Sequence, residues 1–561
     1  MSTSAFSPTK RPKFKILQPE FTLTGQRITP LAKGLPKETE SLCPECRQVI
    51  RARIFEENGK VIMAKTCADH GDFRDIVFSD VALYQKMDEW NFGDGGGNSN
   101  PNNEQGVTCP TDCGLCTLHT SHTALANLDL TNRCNLTCPV CFANANTSGY
   151  VYEPNFEQVV KMMETLRNER PVDARCIQFS GGEPTVYPRF LDVLRKAKEM
   201  GFTHIQAATN GIELSDLDFA RECKEAGLAT LYLQFDGVTD DIYRRVRGVN
   251  LLDVKMKTID NCRKTGMKIV FVPTIVKGLN DHQIGDIVRV AIENIDCVSG
   301  ISFQPVAFTG RINRRSLEEK RFTLADLAQA VSDQTGITRA QEDFFPLACV
   351  TPFSKLTAAL RGVGVPTISS HPHCSLGTYF FVDEETKQAV PITQFVDVGA
   401  MLQDMDELSR KTRKSIFKFY TKLGVWNSLK KHFHKDRAPR GLSFTKFLQT
   451  LQGLTDKKLG RDGKDGTFTY RTLLVAGMHF QDLYNYDIER VKRCVIHYSA
   501  PNGQLYPFCT YNSGPEFREK IEREFAVPVD TLEPMRSKVD VRQNHPKQAE
   551  VVSTEDLVTI G

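Results

Sequence analysis

The sequence predicts an α/β protein whose central domain is a six-stranded parallel barrel, complete or open. Six short apolar runs lie between residues 125 and 310 with amphipathic helical stretches between them: ALANLDLT, RCIQFSGG, HIQAATNG, TLYLQFDG, KIVFVPTIV and GISFQPVAF. Strands that alternate with helices favour right-handed crossovers and a parallel sheet. The first four runs end in polar or Gly-rich residues, at the strand ends where such a barrel places its site. An open doubly wound sheet is the alternative.

The composition is that of an ordinary globular protein. The chain has 561 residues, enough for two or three domains, of which 40% are hydrophobic and 25% charged. A net charge of +3 gives no indication of a nucleic-acid partner. There is no apolar run of about 18 residues to span a membrane and no apolar signal core near the N-terminus. We therefore expect a cytoplasmic protein, in which 17 cysteines indicate metal sites rather than disulfides.

Changes of composition divide the chain into six predicted segments. They are a disordered N-terminus (1–40), a Cys/His metal-binding ribbon (41–92), a linker with an auxiliary cysteine motif (93–124), the barrel (125–310), a C-terminal region for substrate and an auxiliary cluster (311–534) and a disordered tail (535–561).

The ribbon carries two short knuckles, CPEC and CADHG, about twenty residues apart. This spacing predicts one tetrahedral ion held by Cys43, Cys46, Cys67 and His70. Zinc is the default ion, and iron in a rubredoxin-like site is the alternative. An Asn-Gly pair between the knuckles predicts the turn of a β-hairpin.

A three-cysteine motif follows the first predicted strand of the barrel. The stretch LTNRCNLTCPVCFANANTSG contains Cys134, Cys138 and Cys141 with the spacing C-x3-C-x2-C. Three thiolates can hold three irons of a four-iron cluster and leave the fourth iron open to a small molecule. A zinc site completed by a remote ligand is the alternative.

The next strand ends in FSGGEPT (179–185), and with this motif the chain resembles the radical S-adenosylmethionine (SAM) superfamily. The resemblance implies a partial (β/α)6 TIM-like barrel in which SAM chelates the open iron. One electron from a donor such as ferredoxin or flavodoxin cleaves SAM, and the resulting 5′-deoxyadenosyl radical removes hydrogen from an unactivated C–H bond. The residues implied at the cofactor are Phe142, Gly181, Gly182, Glu183, Thr209, Asn210 and Gln234.

Within this set, the glycines allow the backbone to approach a ligand closely, and Glu183 supplies a carboxylate near the SAM ammonium group. Thr209, Asn210 and Gln234 end strands three and four, where the superfamily contacts the ribose and methionine portions of SAM. Ordinary turn chemistry is the alternative for these three residues.

A second triplet, Cys109, Cys113 and Cys116, repeats the same spacing but follows a loop rather than a strand. We expect an auxiliary iron–sulfur cluster beside the barrel. Its fourth ligand is a histidine, with His119 and His122 nearby, a distant cysteine, or none. A second SAM-binding cluster is the alternative.

Four cysteines remain outside the barrel: Cys349, Cys374, Cys494 and Cys509. Radical SAM enzymes often carry a further cluster in their C-terminal region, so we expect a second auxiliary cluster here. Scattered buried thiols are the alternative.

The segment 410–440 is strongly basic, with aromatic residues at roughly helical spacing. It predicts a helix that either lies on an anionic membrane surface or packs its apolar face on the barrel. Nucleic acid is a third option, but no recognition fold accompanies the segment.

The order of ribbon, auxiliary motif, barrel and cysteine-bearing C-terminal region resembles the archaeal tetraether lipid synthases. This resemblance implies an enzyme that joins the terminal methyl carbons of isoprenoid chains of ether lipids. A radical SAM methylase that acts on a pterin cofactor precursor is the first alternative. A non-catalytic iron–sulfur electron carrier is the second, although a carrier needs no SAM pocket.

Overall fold

The computed structural model describes residues 20–21, 27–28, 31–93, 95–102, 108–309, 317–414, 418–455, 470–515, 517–535 and 539. Most of the two segments predicted to be disordered, 1–40 and 535–561, lies outside the described residues.

The N-terminal ribbon is a four-stranded antiparallel sheet. The elements up to its end are β1 (Glu20–Phe21), β2 (Arg27–Ile28), β3 (Lys37–Leu42), β4 (Val49–Glu57), β5 (Lys60–Cys67), β6 (Gly71–Phe78) and α1 (Val81–Glu89). Asn58 and Gly59 join β4 to β5, and both have the positive φ (52° and 76°) that the predicted two-residue turn requires. β3 begins inside the segment predicted to be disordered, because it completes the sheet beside β4.

The barrel domain alternates strands and helices as predicted. Its elements are β7 (Leu125–Thr131), β8 (Val151–Tyr152), α2 (Phe156–Arg167), β9 (Cys176–Gly181), α3 (Phe190–Glu199), β10 (His204–Thr209), α4 (Leu217–Ala226), β11 (Thr230–Gln234), α5 (Asp240–Arg247), α6 (Leu252–Thr265), β12 (Lys268–Val272), β13 (Thr274–Ile275), α7 (Ile284–Glu293) and β14 (Val298–Pro305). Strands β7, β9, β10, β11, β12 and β14 are parallel neighbours in that order. The prediction of a partial six-stranded barrel is confirmed.

The core of this domain lies between the sheet and its helices. Leu128, Phe179 and Leu231 are fully buried there with helix residues such as Val159 and Phe190. Successive side chains of a strand point to opposite faces, so every second strand residue faces the helices and the others face the barrel interior.

The C-terminal region extends the sheet at both edges. Its elements are α8 (Leu317–Lys320), α9 (Leu324–Thr335), α10 (Thr351–Arg361), β15 (Ser375–Asp383), β16 (Ala389–Pro391), α11 (Val398–Lys414), α12 (Lys418–Lys431), α13 (Phe444–Thr455), β17 (Tyr470–Met478), α14 (Ile488–Lys492), β18 (Ile496–Ser499), β19 (Leu505–Pro507), α15 (Phe508–Asn512), α16 (Phe517–Glu524) and β20 (Ala526–Val527). β17 pairs parallel with β14, and β18 pairs parallel with β7. Eight parallel strands are therefore consecutive neighbours in the sheet.

A buried charge cluster joins the ribbon to the rest of the molecule. Arg321 is 3% exposed and donates to Asp75 of β6 and to Asp482, which follows β17. Beside it, Lys65 Nζ of β5 donates to the carbonyl oxygen of Leu483 at 2.6 Å. The ribbon is thus tied to the C-terminal region rather than to the barrel helices.

Within the basic segment 410–440, residues 410–414 end α11, residues 418–431 form α12 and residues 432–440 follow it, while 415–417 lie outside the described residues. Phe433 packs against Phe395 and Phe447 in a small separate core, whereas Leu423 and Trp426 are each 47% exposed. Part of the apolar face is therefore covered by the protein itself. Among the described residues, no helix combines the length and the apolar character that crossing a bilayer requires.

Candidate active site and metal centres

The ribbon brings together Cys43, Cys46, Cys67 and His70, whose ligand atoms all lie within 4.8 Å of one another. Cys46 Sγ is 3.8 Å from Cys67 Sγ, which is 3.5 Å from His70 Nδ1. Tetrahedral bonds of about 2.3 Å impose separations of ~3.8 Å, so the spacing fits. Burial raises the pKa of the Cys43 thiol, but backbone hydrogen bonds from Cys46 and Glu45 bring it down to about 7. The site therefore suits one zinc or iron ion.

The first triplet lies in the loop that follows β7. Burial raises the pKa of the Cys134 thiol well above its usual value, and the nearby Cys138 and Glu183 raise it further. Burial also raises the pKa of Cys138, while Arg247 opposes that rise, and Cys141 acts electrostatically on both thiols. The three thiols therefore act on one another electrostatically, and Cys134 and Cys138 pack against the same apolar cluster, as expected for ligands of one iron–sulfur cluster.

Asn146 holds the cysteine loop in shape. Its Oδ1 accepts from the backbone N–H of Cys134 at 3.0 Å, and its Nδ2 donates to the carbonyl oxygens of Cys134 and Leu136 at 2.8 and 2.9 Å. Its φ is +64°, in a region that Asn adopts more readily than most residues. The motif itself gives no indication of this role, because the hydrogen bonds appear only when the loop folds back on itself.

Gly181 and Gly182 are required by the chain itself. A Cβ on Gly181 would collide with the carbonyl oxygen of Thr131, and one on Gly182 would collide with that of Arg133. Gly182 N also donates to Thr131 O at 2.7 Å. The predicted close approach is real, but here the partner is the backbone that leads into the cysteine loop.

Glu183 ties the ends of β9 and β10 together. Its Oε1 accepts from the Thr185 hydroxyl at 2.6 Å and from the Thr209 hydroxyl at 2.8 Å, and its Oε2 accepts from Asn210 N at 2.8 Å. Burial raises the pKa of this carboxyl, and the hydrogen bonds oppose the rise. Asn210 Nδ2 in turn donates to Asn135 Oδ1 at 2.7 Å in the cysteine loop. The predicted residues Glu183, Thr209 and Asn210 are therefore one network beside the first triplet.

A buried ion pair supports the same loop from the other side. Arg247 donates to both carboxylate oxygens of Asp236 at 2.8 Å and to the carbonyl oxygen of Val140 at 2.8 Å. It also contributes a hydrogen bond to Cys138. Neither Arg247 nor Asp236 is among the predicted site residues, although Asp236 stands in the run TLYLQFDG.

Gln234 lies between two cations at the end of β11. Its side-chain amide is 2.9 Å from Arg247 Nη1 and 3.4 Å from Lys255 Nζ. Lys255 is fully buried, which lowers its pKa to about 8, and it donates to Asn210 O. Gln234 is thereby joined to the Glu183 network.

Phe142 points toward the C-terminal region. It stacks on Phe508 with ring centroids 5.6 Å apart, and Phe508 stacks on Phe480 at 3.9 Å. Phe508 immediately precedes Cys509. Phe142 therefore links the first triplet to another predicted metal site, a contact that the sequence does not indicate.

The second triplet is buried beside the C-terminal region. Burial raises the pKa of the Cys109 thiol well above its usual value, with further contributions from Cys113 and Cys116. His122 already uses both ring nitrogens, with Gly95 O at 3.1 Å and Thr367 N at 2.9 Å, so it is not a fourth ligand.

His119 lies between this triplet and the last cysteines. Its Nε2 is 2.8 Å from Cys494 O and 3.1 Å from His497 Nε2. Burial lowers the pKa of His119 to about 4, so the ring is neutral at physiological pH. Through this nitrogen, His119 connects the segment that follows the second triplet to the segment that contains Cys494.

Three of the four remaining cysteines come together. Cys374 and Cys509 both act on Cys494, whose thiol pKa is raised chiefly by burial. Arg490 Nε donates to Cys374 Sγ at 3.4 Å, and the same guanidinium opposes the burial that raises the pKa of Cys509 to about 11.

Cys349 differs from this group in its surroundings. Burial raises the pKa of its thiol to about 12 without a contribution from another cysteine. The surroundings of Cys349 resemble those of a buried packing cysteine, and its role as a fourth ligand stays a prediction.

The inner face of the barrel is polar. Most strand residues that point away from the helices carry hydrogen-bonding groups: Asn127, Asp129, Gln178, Ser180, Gln206, Tyr232, Gln234, Ser302 and Gln304. Gln178 Nε2 donates to Asn127 Oδ1 at 2.9 Å, and Gln206 Nε2 donates to Gln178 Oε1 at 2.6 Å. In the sequence, the alternation of polar and apolar residues in LANLDLT, CIQFSG and TLYLQ indicates this polar interior.

Comparison with known proteins gives matches over most of the chain. A family model described as the radical SAM superfamily matches residues 128–291, and one described as the HMPTM N-terminal zinc ribbon domain matches residues 35–79. The chain is 44% identical over 498 residues to a 7,8-dihydro-6-hydroxymethylpterin dimethyltransferase of Methanocaldococcus jannaschii, which covers 88% of this chain and 97% of that protein.

More distant matches cover the barrel. The chain is 24% identical over 294 residues to a GTP 3′,8-cyclase of Clostridium acetobutylicum, or 52% of this chain and 88% of that protein. Among solved structures, Streptococcus suis SuiB bound to its precursor peptide SuiA matches with a TM-score of 0.32 and 20% identity, over 38% of this chain and 46% of that one.

Proposed function

Since the chain belongs to the 7,8-dihydro-6-hydroxymethylpterin dimethyltransferase family of the radical SAM superfamily, we propose that it methylates a reduced 6-hydroxymethylpterin. The prediction of a tetraether lipid synthase is wrong, because the relative that is 44% identical over 88% of this chain is a pterin dimethyltransferase. A lipid substrate is not supported either. The first alternative interpretation of the sequence, a methylase that acts on a pterin, replaces the prediction of a lipid synthase.

The polar barrel interior is the observation that carries this proposal. A saturated hydrocarbon chain lying against the half-buried Tyr232 and Gln304 would displace water from these polar groups without replacing its hydrogen bonds, at a cost of about 1–3 kcal/mol for each polar group left without a partner. A pterin is small and presents ring N–H groups and a carbonyl oxygen along its edge. The interior can therefore form hydrogen bonds with a pterin that it cannot form with a lipid.

The radical SAM enzyme uses a four-iron cluster and SAM, and the residues of the first triplet fit them. Cys134, Cys138 and Cys141 would hold the cluster, because their thiols act on one another electrostatically and become thiolates when they bind metal. When bound, the cluster and one SAM would supply a 5′-deoxyadenosyl radical that removes hydrogen from a substrate C–H bond, and a second SAM would supply the methyl group and leave as S-adenosylhomocysteine, with one electron from the reductant for each SAM. A one-electron donor such as ferredoxin or flavodoxin is the partner that this chemistry needs.

The protein's part in the reaction is to position these groups and to keep water away. Glu183 holds Thr209 and Asn210 at the strand ends, and Arg247 fixes the cysteine loop through Val140. These contacts leave the first triplet above the polar interior, at the ends of the strands where barrel enzymes bind substrate.

The other two triplets would hold auxiliary four-iron clusters in this proposal. The two groups are neighbours, because Cys109 and Cys509 are both partly buried and pack against the apolar cluster that contains Tyr486. A small polar substrate gives the basic segment 410–440 no lipid to reach, so the proposal assigns it no membrane role.

The test is an anaerobic assay of the full-length protein with reconstituted iron, SAM, a reductant and 7,8-dihydro-6-hydroxymethylpterin. Mass spectrometry should detect pterin that has gained one or two methyl groups, together with 5′-deoxyadenosine. Cys138→Ala should abolish both products, whereas Cys349→Ala should retain both. Robust SAM cleavage without any methylated pterin, or cleavage stimulated only by an ether lipid, would overturn the proposal.

A further inference from the structure

Two sets of polar side chains inside the barrel, a chain of amides and an ion pair, already form hydrogen bonds within the protein. The side-chain amides of Asn127, Gln178 and Gln206 bond one another across three strands. Asp129 is buried and is paired with Arg518, which is half-buried. These groups gain little by turning to a ligand, because they would have to break bonds they already make.

Strands β11, β12 and β14 form the opposite side of the barrel interior, which is called the wall below. Its side chains combine apolar and polar groups. The Tyr232 hydroxyl donates to Ser302 Oγ at 2.6 Å and lies within hydrogen-bonding reach of Gln304. β12 runs between these strands and turns Val270, which is half-buried, and Val272, which is only 9% exposed, to the same face, as the register shows. The wall therefore combines a flat apolar patch with polar groups at its edge.

This wall borders open space near the cofactor end of the barrel. Tyr232, Val270 and Gln304 are only half-buried, although they lie on central strands of the sheet. The small side chain of Ala208 stands beside Tyr232 in the register and is also half-buried. Gln234, which joins the network around the cysteine loop, is two residues beyond Tyr232 on the same strand.

We propose that this wall binds the flat heterocycle of the substrate, with Gln304 recognising its polar edge and the two valines supporting its face. The inference rests on the proposed function. A carboxamide offers an acceptor and two donors side by side, which match the adjacent N–H and C=O groups of a pyrimidinone ring. The ring faces are apolar and suit Val270 and Val272. Gln304 is then a specificity-determining residue, and Ser302 positions Tyr232 beside it.

The test measures equilibrium binding of 6-hydroxymethylpterin, by its fluorescence, to the full-length reconstituted protein. Gln304→Leu should weaken binding by roughly 10- to 100-fold, because the ring edge loses a two-point partner. Gln329→Leu, the same change on the exposed outer side of α9, should leave binding unchanged. An analogue without the 4-oxo group should bind the wild type more weakly and bind Gln304→Leu no worse than the parent pterin. Iron content, and SAM cleavage measured without the pterin, should match the wild type in both variants.

The outcomes separate this inference from the proposed function. Equal pterin binding by Gln304→Leu and the wild type, or no binding to the wild type, would overturn the inference. If methylation proceeds while Gln304→Leu retains normal binding, only the inference fails. If binding depends on Gln304 but no methylated pterin forms, only the proposed function fails.

Discussion

At the scale of single residues, the cysteine loop depends on buried partners as much as on its thiols. Arg247 donates to Asp236, to the Val140 carbonyl and to Cys138, and both charged groups are almost inaccessible to solvent. Asp236 also accepts from Thr274 N at 3.0 Å, which anchors the pair to β13. The pair thus connects the loop to the ends of two strands.

Replacing Arg247 should damage both stability and cluster assembly. Arg247→Met leaves Asp236 buried without its cation, which costs about 3–5 kcal/mol. We expect a clearly lower midpoint in thermal unfolding followed by circular dichroism, and less iron retained per chain after reconstitution. Arg221→Met breaks an exposed pair with Asp218 on α4 and should change stability by no more than ~0.5 kcal/mol. Equal midpoints and iron contents for the two variants would show that the buried pair does not support the loop.

The sequence predicts the candidate cysteine ligands better than it predicts the residues that support the cysteine loop. Cys134, Cys138 and Cys141 lie within one short motif, so their shared role is visible in the spacing. Arg247 and Val140 are 107 residues apart, and no local pattern links them. Cys349 shows the converse limit, because its position in the sequence suggests a ligand, whereas burial alone accounts for the raised pKa of its thiol.

At the scale of elements, the ribbon is fixed to the C-terminal region by Arg321 between two carboxylates. Burial raises the pKa of Asp75 to about 6 despite Arg321, whereas for Asp482 Arg321 outweighs burial and the pKa falls to about 2. One cation cannot fully compensate two buried anions, so the carboxyls titrate in two separate steps.

The pH dependence of stability should follow from the signs of these shifts. The pKa of Asp75 lies above its ordinary value of 3.8, so its ionisation destabilises the fold, and stability falls as pH rises through about 6. A shift of about two pH units corresponds to about 3 kcal/mol. Asp75→Asn should remove this decline between about pH 4 and 6.5, the interval in which the unfolded chain ionises before the folded protein, in thermal unfolding of the metal-loaded protein.

Asp482→Asn provides the matched comparison for that experiment. Asp482 has a lowered pKa, so its charge stabilises the fold above pH 4, and that contribution is lost only as the pH falls toward 2. This variant should therefore be less stable than the wild type throughout the neutral range. A decline with pH that is the same in Asp75→Asn and the wild type would refute the assignment.

The strand–helix units of the barrel are predictable because each is a local pattern of strand, turn and amphipathic helix. β17 and β18 are not predictable in the same way. They lie beyond residue 470, yet they join the two edges of a sheet whose other parallel strands end at Pro305. Their pairing depends on long-range register, which a period-two pattern in one run does not specify.

At the scale of the whole molecule, three cysteine triplets and a ribbon surround one polar barrel. Phe142 and Phe508 connect the first triplet to Cys509, and Cys109 and Cys509 pack against the apolar cluster that contains Tyr486. These contacts make the three cysteine triplets neighbours of one another, and in the proposal the barrel interior receives the substrate. The polar interior favours a polar substrate. The order of the motifs along the chain does not indicate this polarity, and it therefore led to the wrong prediction of a lipid substrate.

The most direct measurement follows hydrogen from substrate to cofactor product. 7,8-Dihydro-6-hydroxymethylpterin labelled with deuterium at its carbon-bound positions is incubated with the reconstituted protein, SAM and a reductant, and 5′-deoxyadenosine is analysed by mass spectrometry. A radical that acts on the pterin inside the barrel should place deuterium in 5′-deoxyadenosine. Unlabelled 5′-deoxyadenosine, formed at the same rate with and without the pterin, would contradict the account.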